Sequence, residues 1–224
     1  MTTRTTLDHV LIGIRDDIIR LSSLVDQSVS RAVRAFKELD VDLAHEVVND
    51  DAQLDDLHRK IETSVASTFA MHNPMARDMR LLVANLLISN ELERMGDHAE
   101  GIAKTVLRYS GDSTIPLPYQ VPKMQDTVHE MIVQVMDAYI GLDTEQAREL
   151  AGLDSELDDL YRSLFDDTVS AMSKGKLSVE KGTYLLWVGH NLERIGDRVT
   201  NICERIVYAT TGVPEDFNPT AAES

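Results

Sequence analysis

Apolar residues recur at three- and four-residue intervals along most of the chain, as in Leu92, Met95, Ala99, Ile102 and Val106. That is the period of a helix burying one face. No segment shows sustained strand alternation. Breakers are few and clustered. Gly111, Pro116, Pro118 and Pro122 mark one internal linker in SGDSTIPLPYQVP, and Asn73-Pro74, Lys174-Gly175-Lys176 and the tail after Gly212 mark the other interruptions. Asp40 and Asp143 read as N-caps, the second with Gln146 three residues on as a capping box. Asn73 before Pro74 reads as an N-cap followed by the first helical residue. The pattern predicts six helices, over 7–38, 41–71, 75–109, 123–141, 144–173 and 179–209.

The two halves repeat one another. LDVDLAHEVVNDDAQLDDLHRKIE from Leu39 aligns without a gap on LDTEQARELAGLDSELDDLYRSLF from Leu142, a shift of 103 residues. Further on, LERMGDHAEGI from Leu92 aligns on LERIGDRVTNI from Leu192, a shift of 100. The three lost residues fall in the loop between the second and third helix of each half. A repeat of this length is a duplicated supersecondary unit. The expected fold is therefore all-α, two tandem three-helix bundles over 1–110 and 120–212, with a flexible tail over 213–224.

Composition narrows the partners. Lys+Arg 22 against Asp+Glu 38 leaves a net charge of −16, which disfavours nucleic acid and anionic membrane surfaces. No stretch is apolar enough to span a membrane, and no signal-peptide pattern opens the chain. Cys203 is the only cysteine, so neither a disulfide framework nor a thiolate cluster is available. A cytoplasmic protein is expected.

Each repeat carries two acidic pairs at i,i+4 spacing, Asp51/Asp55 and Glu93/Asp97 in the first half, Asp154/Asp158 and Glu193/Asp197 in the second. Such pairs share a helix face, and most often that face is simply solvated. Register adds to this. In a helical hairpin, residues equidistant from the turn lie at one height. Asp55 with Glu93, and Asp51 with Asp97, are equidistant from the Asn73-Pro74 turn, and the second-half acids are equidistant from Gly175-Lys176. Each half thus brings two carboxylate pairs to the same level on neighbouring helices, provided the faces also point together. There they repel unless protonated or neutralised by a cation.

An all-oxygen donor set suits Mg²⁺, Mn²⁺, Ca²⁺ or Fe³⁺ better than structural zinc. His58 and His98 could add nitrogen in the first half, but Tyr161 and Arg198 replace them in the second. Arg94 and Arg194 are expected to pair with neighbouring acids. Gly96 and Gly196, mid-helix, signal close helix approach, and the methionines read as core filler. Phosphate-loop, nucleophile-elbow and zinc-protease motifs are missing. There is no Glu-x-x-His of the di-iron bundles.

The segments Leu92-Glu-Arg-Met-Gly-Asp97 and Leu192-Glu-Arg-Ile-Gly-Asp197 resemble the PhoU family, the accessory proteins of phosphate-specific transport, marked by one Glu/Asp-x-x-x-Asp motif per repeat. The resemblance runs from about Leu7 to Tyr208. It implies paired three-helix bundles, often dimeric, with multinuclear metal clusters (Fe, Mn, Mg or Zn) held by Glu93, Asp97, Glu193 and Asp197. Asp51, Asp55, Asp154 and Asp158 join them by helix pairing. It also implies a non-enzymatic negative regulator of the phosphate-starvation response, linking the Pst transporter, through its ATPase subunit, to a PhoR-type sensor histidine kinase. One departure stands out: the motif runs on to Asn201 in the second half, where the first has Gly101. Two other readings remain open at this point, a carboxylate-bridged metalloenzyme (hydrolase or oxidase) and a helical protein with solvated acid pairs.

Overall fold

The structure, a computed structural model, describes residues 3–109 and 115–217. Among the described residues there are seven helices and no strand: α1 Thr3–Glu38, α2 Val41–His72, α3 Arg77–Arg108, α4 Gln120–Gly141, α5 Thr144–Ala151, α6 Asp154–Ser173 and α7 Val179–Thr211. Helices α1–α3 form one bundle and α4–α7 the other, and the most extensive contact in the molecule joins α3 to α7. Among the described residues no helix is long and apolar enough to cross a membrane.

The two repeats build the same turn between their first and second helices. Leu39 and Leu142 both take a left-handed conformation, with φ of 52° and 51°. The next residue then donates its amide back into the helix, Asp40 to Ala35 at 3.0 Å and Asp143 to Ala138 at 2.9 Å. This closes the helix end in the Schellman manner. Asp40 and Asp143 also cap the following helices, Asp40 through the Leu43 amide and Asp143 through those of Glu145 and Gln146.

Beyond small shifts at helix ends, such as α1 beginning at Thr3, three differences from the sequence pattern have a physical reason. The expected helix over 144–173 is two helices, broken at Gly152-Leu153 by i→i+3 bonds to Glu149 and Leu150. The first half has Asn49 at the position of Gly152 and stays helical there, so the weak helix propensity of Gly localises the break. Asn73 is the C-cap of α2 at φ 44°, not the N-cap of α3, because Asn tolerates the left-handed region and Pro74 blocks continuation. α4 begins at Gln120, ahead of Pro122, since a first-turn proline gives up only an amide that had no helical partner. Residues 110–114 of the expected linker and 218–224 of the expected flexible tail lie outside the described residues. Within 213–217, Glu215 pairs with Arg148 at 2.7 Å and the Phe217 amide donates to Glu204 at 3.1 Å.

One continuous core runs through both bundles, lined by Leu82, Ile88, Leu92, Ala99 and Ile102 of α3 and by Val188, Leu192, Ile195, Val199 and Ile202 of α7. Met95, Met124 and Met131 fill it as expected, but Met71, Met75 and Met79 are exposed around the α2–α3 turn. Gly96 and Gly196 do mark close approach. A Cβ at Gly96 would stand 2.7 Å from Leu54 Cδ2, and one at Gly196 would collide with Leu157 Cδ2. Gly196→Ala is therefore expected to cost about 1–3 kcal/mol through overpacking, more than its gain of about 1 kcal/mol in helix propensity. Gly13→Ala, with open space around it, should gain about 0.5–1 kcal/mol. Urea midpoints distinguish them, and an unweakened Gly196→Ala would contradict a tight α6–α7 seam.

Candidate metal centres

The helix spacing places the acids as the turns require. In the first half Asp51 and Asp55 on α2 face Glu93 and Asp97 on α3 closely enough to act on one another electrostatically. Burial raises the Asp51 carboxyl to about 6, helped by repulsion from Glu100, Asp55 and Asp97 and opposed by Lys104. Burial likewise raises Asp97, with Asp55 and Glu100 adding to it, and raises Glu93, with Asp97 adding. None of these four carboxylates makes a hydrogen bond or ion pair among the described residues. The small Gly96 admits Asp51, whose Oδ1 lies 3.5 Å from where a Cβ would sit.

The second half has the same register and a different charge balance. Asp154 Oδ1 lies 3.1 Å from the Cβ position of Gly196, and Asp158, Glu193 and Asp197 line the same hollow. Here Arg194 fills the centre of the cluster. Its guanidinium donates twice to Glu193, at 2.8 Å each, and reaches Asp197 at 2.8 Å. The expected role of Arg194 as a partner of the acids is met, whereas Arg94 makes no such pair among the described residues. Burial holds Asp197 at about 6 even though Arg194 pulls it down. Asp158 is raised by burial and then by Glu193.

The two hollows adjoin. Arg198 lines both, the first with Asn90, Glu93, Arg94, Asp97 and His98, the second with Asp154, Asp197 and Asn201. Across the α3–α7 contact, Glu91 accepts from Asn201 at 3.1 Å and from Arg198 at 3.4 Å. The repeat-related positions are Asn191, Gly101 and His98, and there Asn191 Oδ1 stands 3.0 Å from His98 Nδ1. A Cβ on Gly101 would come within 3.1 Å of Asn191 Oδ1. The Gly101/Asn201 departure thus has a reason in packing between the repeats. His98 is turned to Asn191, and burial lowers its basicity. Sequence reading passed over Glu91, Asn191 and Glu100. Their signals were present in the matched repeat positions of the first two, and in the i+3 spacing of Glu100 from Asp97.

The donor chemistry of the first cluster fits a hard cation: oxygen ligands, several formal negative charges and no protein cation bonded to them. As the side chains stand, no three His, Cys, Asp or Glu among the described residues converge tightly enough to hold a metal ion. The second cluster already carries its positive charge as Arg194.

Comparison with known proteins agrees with this architecture. The family described as "PhoU domain" matches twice, over residues 18–106 and 121–206. A phosphate-specific transport system accessory protein PhoU homolog of Clostridium acetobutylicum is 32% identical over 217 residues, covering 96% of this chain and 99% of the relative. One from Rhizobium meliloti is 35% identical over 218 residues, covering 96% and 92%. Among solved structures, the phosphate transport system regulatory protein PhoU from Streptococcus pneumoniae superposes with a TM-score of 0.87 at 30% identity, covering 94% of this chain and 99% of that one. PhoU from Pseudomonas aeruginosa gives 0.86 at 27% identity, covering 92% and 99%. The first three are named for accessory or regulatory roles, and none of the four for an enzymatic activity.

Proposed function

The chain belongs to the PhoU family, and from that premise we propose that it is a cytoplasmic, cation-binding negative regulator of the phosphate-starvation response. In this reading it works beside a phosphate-specific transporter, meeting the transporter's ATPase subunit and a PhoR-type sensor histidine kinase, as a homodimer. The observation that supports it most is the pair of adjoining carboxylate hollows at the two family motifs, bridged by Arg198.

Glu93 and Asp97, which line the first hollow, would hold a hard cation there with Asp51 and Asp55 of the facing helix. Asp154, Asp158, Glu193 and Asp197 would hold another once Arg194 swings out. A bound cation supplies positive charge that offsets the burial and the repulsion now raising Asp51 and Asp97. The chain's own residues set the rest: close approach at Gly96 and Gly196 fixes the seam spacing, and the Glu91–Asn201 bond ties one hollow to the other. The acidic surface suits basic partner patches.

Deleting the gene should give high alkaline phosphatase output in phosphate-replete medium, returned to low output by the intact gene. Output that stays low on deletion would remove the regulatory reading.

A further inference from the structure

Both hairpin seams have a ladder of facing positions descending from the acids towards the turn. In the first half the acidic level of Asp55 and Glu93 is followed by His58 with Asn90, then by Glu62 with Leu87. These are polar or half-buried, and His58 Nε2 lies 3.6 Å from Glu62. In the second half the acidic level is kept, as Asp158 and Glu193, but the next two levels are Tyr161 with His190 and Phe165 with Trp187. Tyr161 and Trp187 each lie 6.0 Å, ring centre to ring centre, from His190. Trp187 is 47% exposed and Phe165 45%. The fold does not require aromatics here, since the duplicate does without them. Large exposed aromatics grouped on one face are the composition of a binding surface rather than of a solvated one.

The hollow between these helices is lined by Asp158 and Glu193 together with Tyr161, Arg162 and Phe165. Arg162 is already paired with Asp159 at 2.7 Å, and Arg194 with Glu193. Glu193 is held by Arg194 and lies 3.6 Å from His190, so the strip ends at Asp158 as its open carboxylate. It fits a basic side chain with its stem over the rings and its head at Asp158. A second copy would set the same acids against themselves on a chain of net charge −16, and an anionic lipid surface is repelled for the same reason.

We propose that the aromatic stretch of the α6–α7 seam (Tyr161, Phe165, Trp187 and His190) docks a basic amphipathic helix of a partner protein, by the helix-in-groove mode. This deepens the regulatory reading above and rests on it for its biological meaning.

Trp187 is the only tryptophan, so its emission reports on this face directly. The probe is a synthetic amphipathic peptide of roughly 18 residues, about five turns, with Leu on one face and Lys and Arg on the other. A scrambled peptide of equal composition is the control, and both are used with the full chain at physiological salt. The patterned peptide should shift Trp187 emission to the blue. Phe165→Glu should weaken its binding at least about tenfold, roughly 1.4 kcal/mol, while Leu87→Glu in the first half should not. Absence of binding, binding without a Trp187 shift, equal affinity for the scrambled peptide, or full affinity of Phe165→Glu would each overturn the proposal. Sedimentation showing that Phe165→Glu splits a dimer would overturn it in favour of a second copy. In the host, Phe165→Glu with the parent's circular dichroism and melting temperature should fail to restore low phosphatase output, and full restoration would overturn the docking role. Should deletion itself leave output low, the regulatory reading fails alone and the peptide titration still decides the face.

Discussion

Replacing both Asp51 and Asp97 by Asn is expected to raise the melting temperature of the metal-free protein at pH 7 and to remove its stabilisation by Mg²⁺ or Mn²⁺. Both carboxylates are raised by burial and by repulsion from acids on the facing helix and their own, so in the absence of a cation they oppose folding. Asp51 moves from 3.8 to about 6 on folding. Between those values the native state binds more protons than the unfolded chain, so stability falls as pH rises through that window and the penalty is complete above it. With solvent screening, about 1 kcal/mol is a realistic share for Asp51, roughly 2–4 °C for a chain of this size, and Asp97 adds to it in the same direction. A cation at 100 times its dissociation constant would return about 2.7 kcal/mol to the parent and much less to the double variant. Thermal melts at pH 5 and pH 7, with and without Mn²⁺, test both parts. The parent should gain stability on going to pH 5, and the variant should gain less, keeping only the shares of the raised carboxyls that remain, Asp197, Glu93 and Asp158 among them. A variant that melts below the parent at pH 7, or still responds to Mn²⁺ as the parent does, would contradict the assignment of this cluster.

The bundle architecture was legible because it depends on periodicity and self-similarity, and both are explicit in the sequence. The register of the acids followed from the turn positions alone, since a hairpin converts equal distances from a turn into equal heights. Helix ends were less legible. Asn73 before Pro74 is compatible with an N-cap or with a left-handed C-cap, and only packing at the α2–α3 turn selects the second. The break at Gly152 was masked because the aligned first half is continuous there. Within the site, individual acids could be named but not their counter-ions. Whether Arg194 or Arg94 folds back onto its neighbours is a rotamer choice, and the two motifs are nearly identical around them. The Glu91–Asn201 and Asn191–His98 pairs lie between repeats, where sequence spacing carries no register; they emerge only once α3 is seen lying antiparallel to α7.

That difference between the arginines gives the second large effect. Arg194→Ala should destabilise the metal-free protein by about 2 kcal/mol at pH 7, and Arg94→Ala by no more than about 0.5 kcal/mol. Arg194 holds Glu193, itself only 9% exposed, with two hydrogen bonds and Asp197 with one ion pair. Removing it leaves Asp158, Glu193 and Asp197 facing one another without a cation, as their first-half counterparts already do. The cost stays below that of a deeply buried pair because the Arg194 side chain is partly exposed and solvent screens the remaining charges. Asp197, already at about 6 with Arg194 lowering it, should rise further. The loss should therefore be largest above the raised value of Asp197 and shrink as pH falls through it towards about 6, as the proton takes over the role of the guanidinium. A divalent cation should do the same at constant pH, so Arg194→Ala ought to respond to Mn²⁺ more strongly than the parent. An equal loss at pH 5 and pH 7 would mean that Arg194 acts through packing of its stem. A cation response no greater than the parent's would mean that the second cluster does not take an ion in place of its arginine. The opposite pair of results would make one repeat a cation site open to solution and the other a site that carries its own counter-ion, two charge states of one duplicated motif.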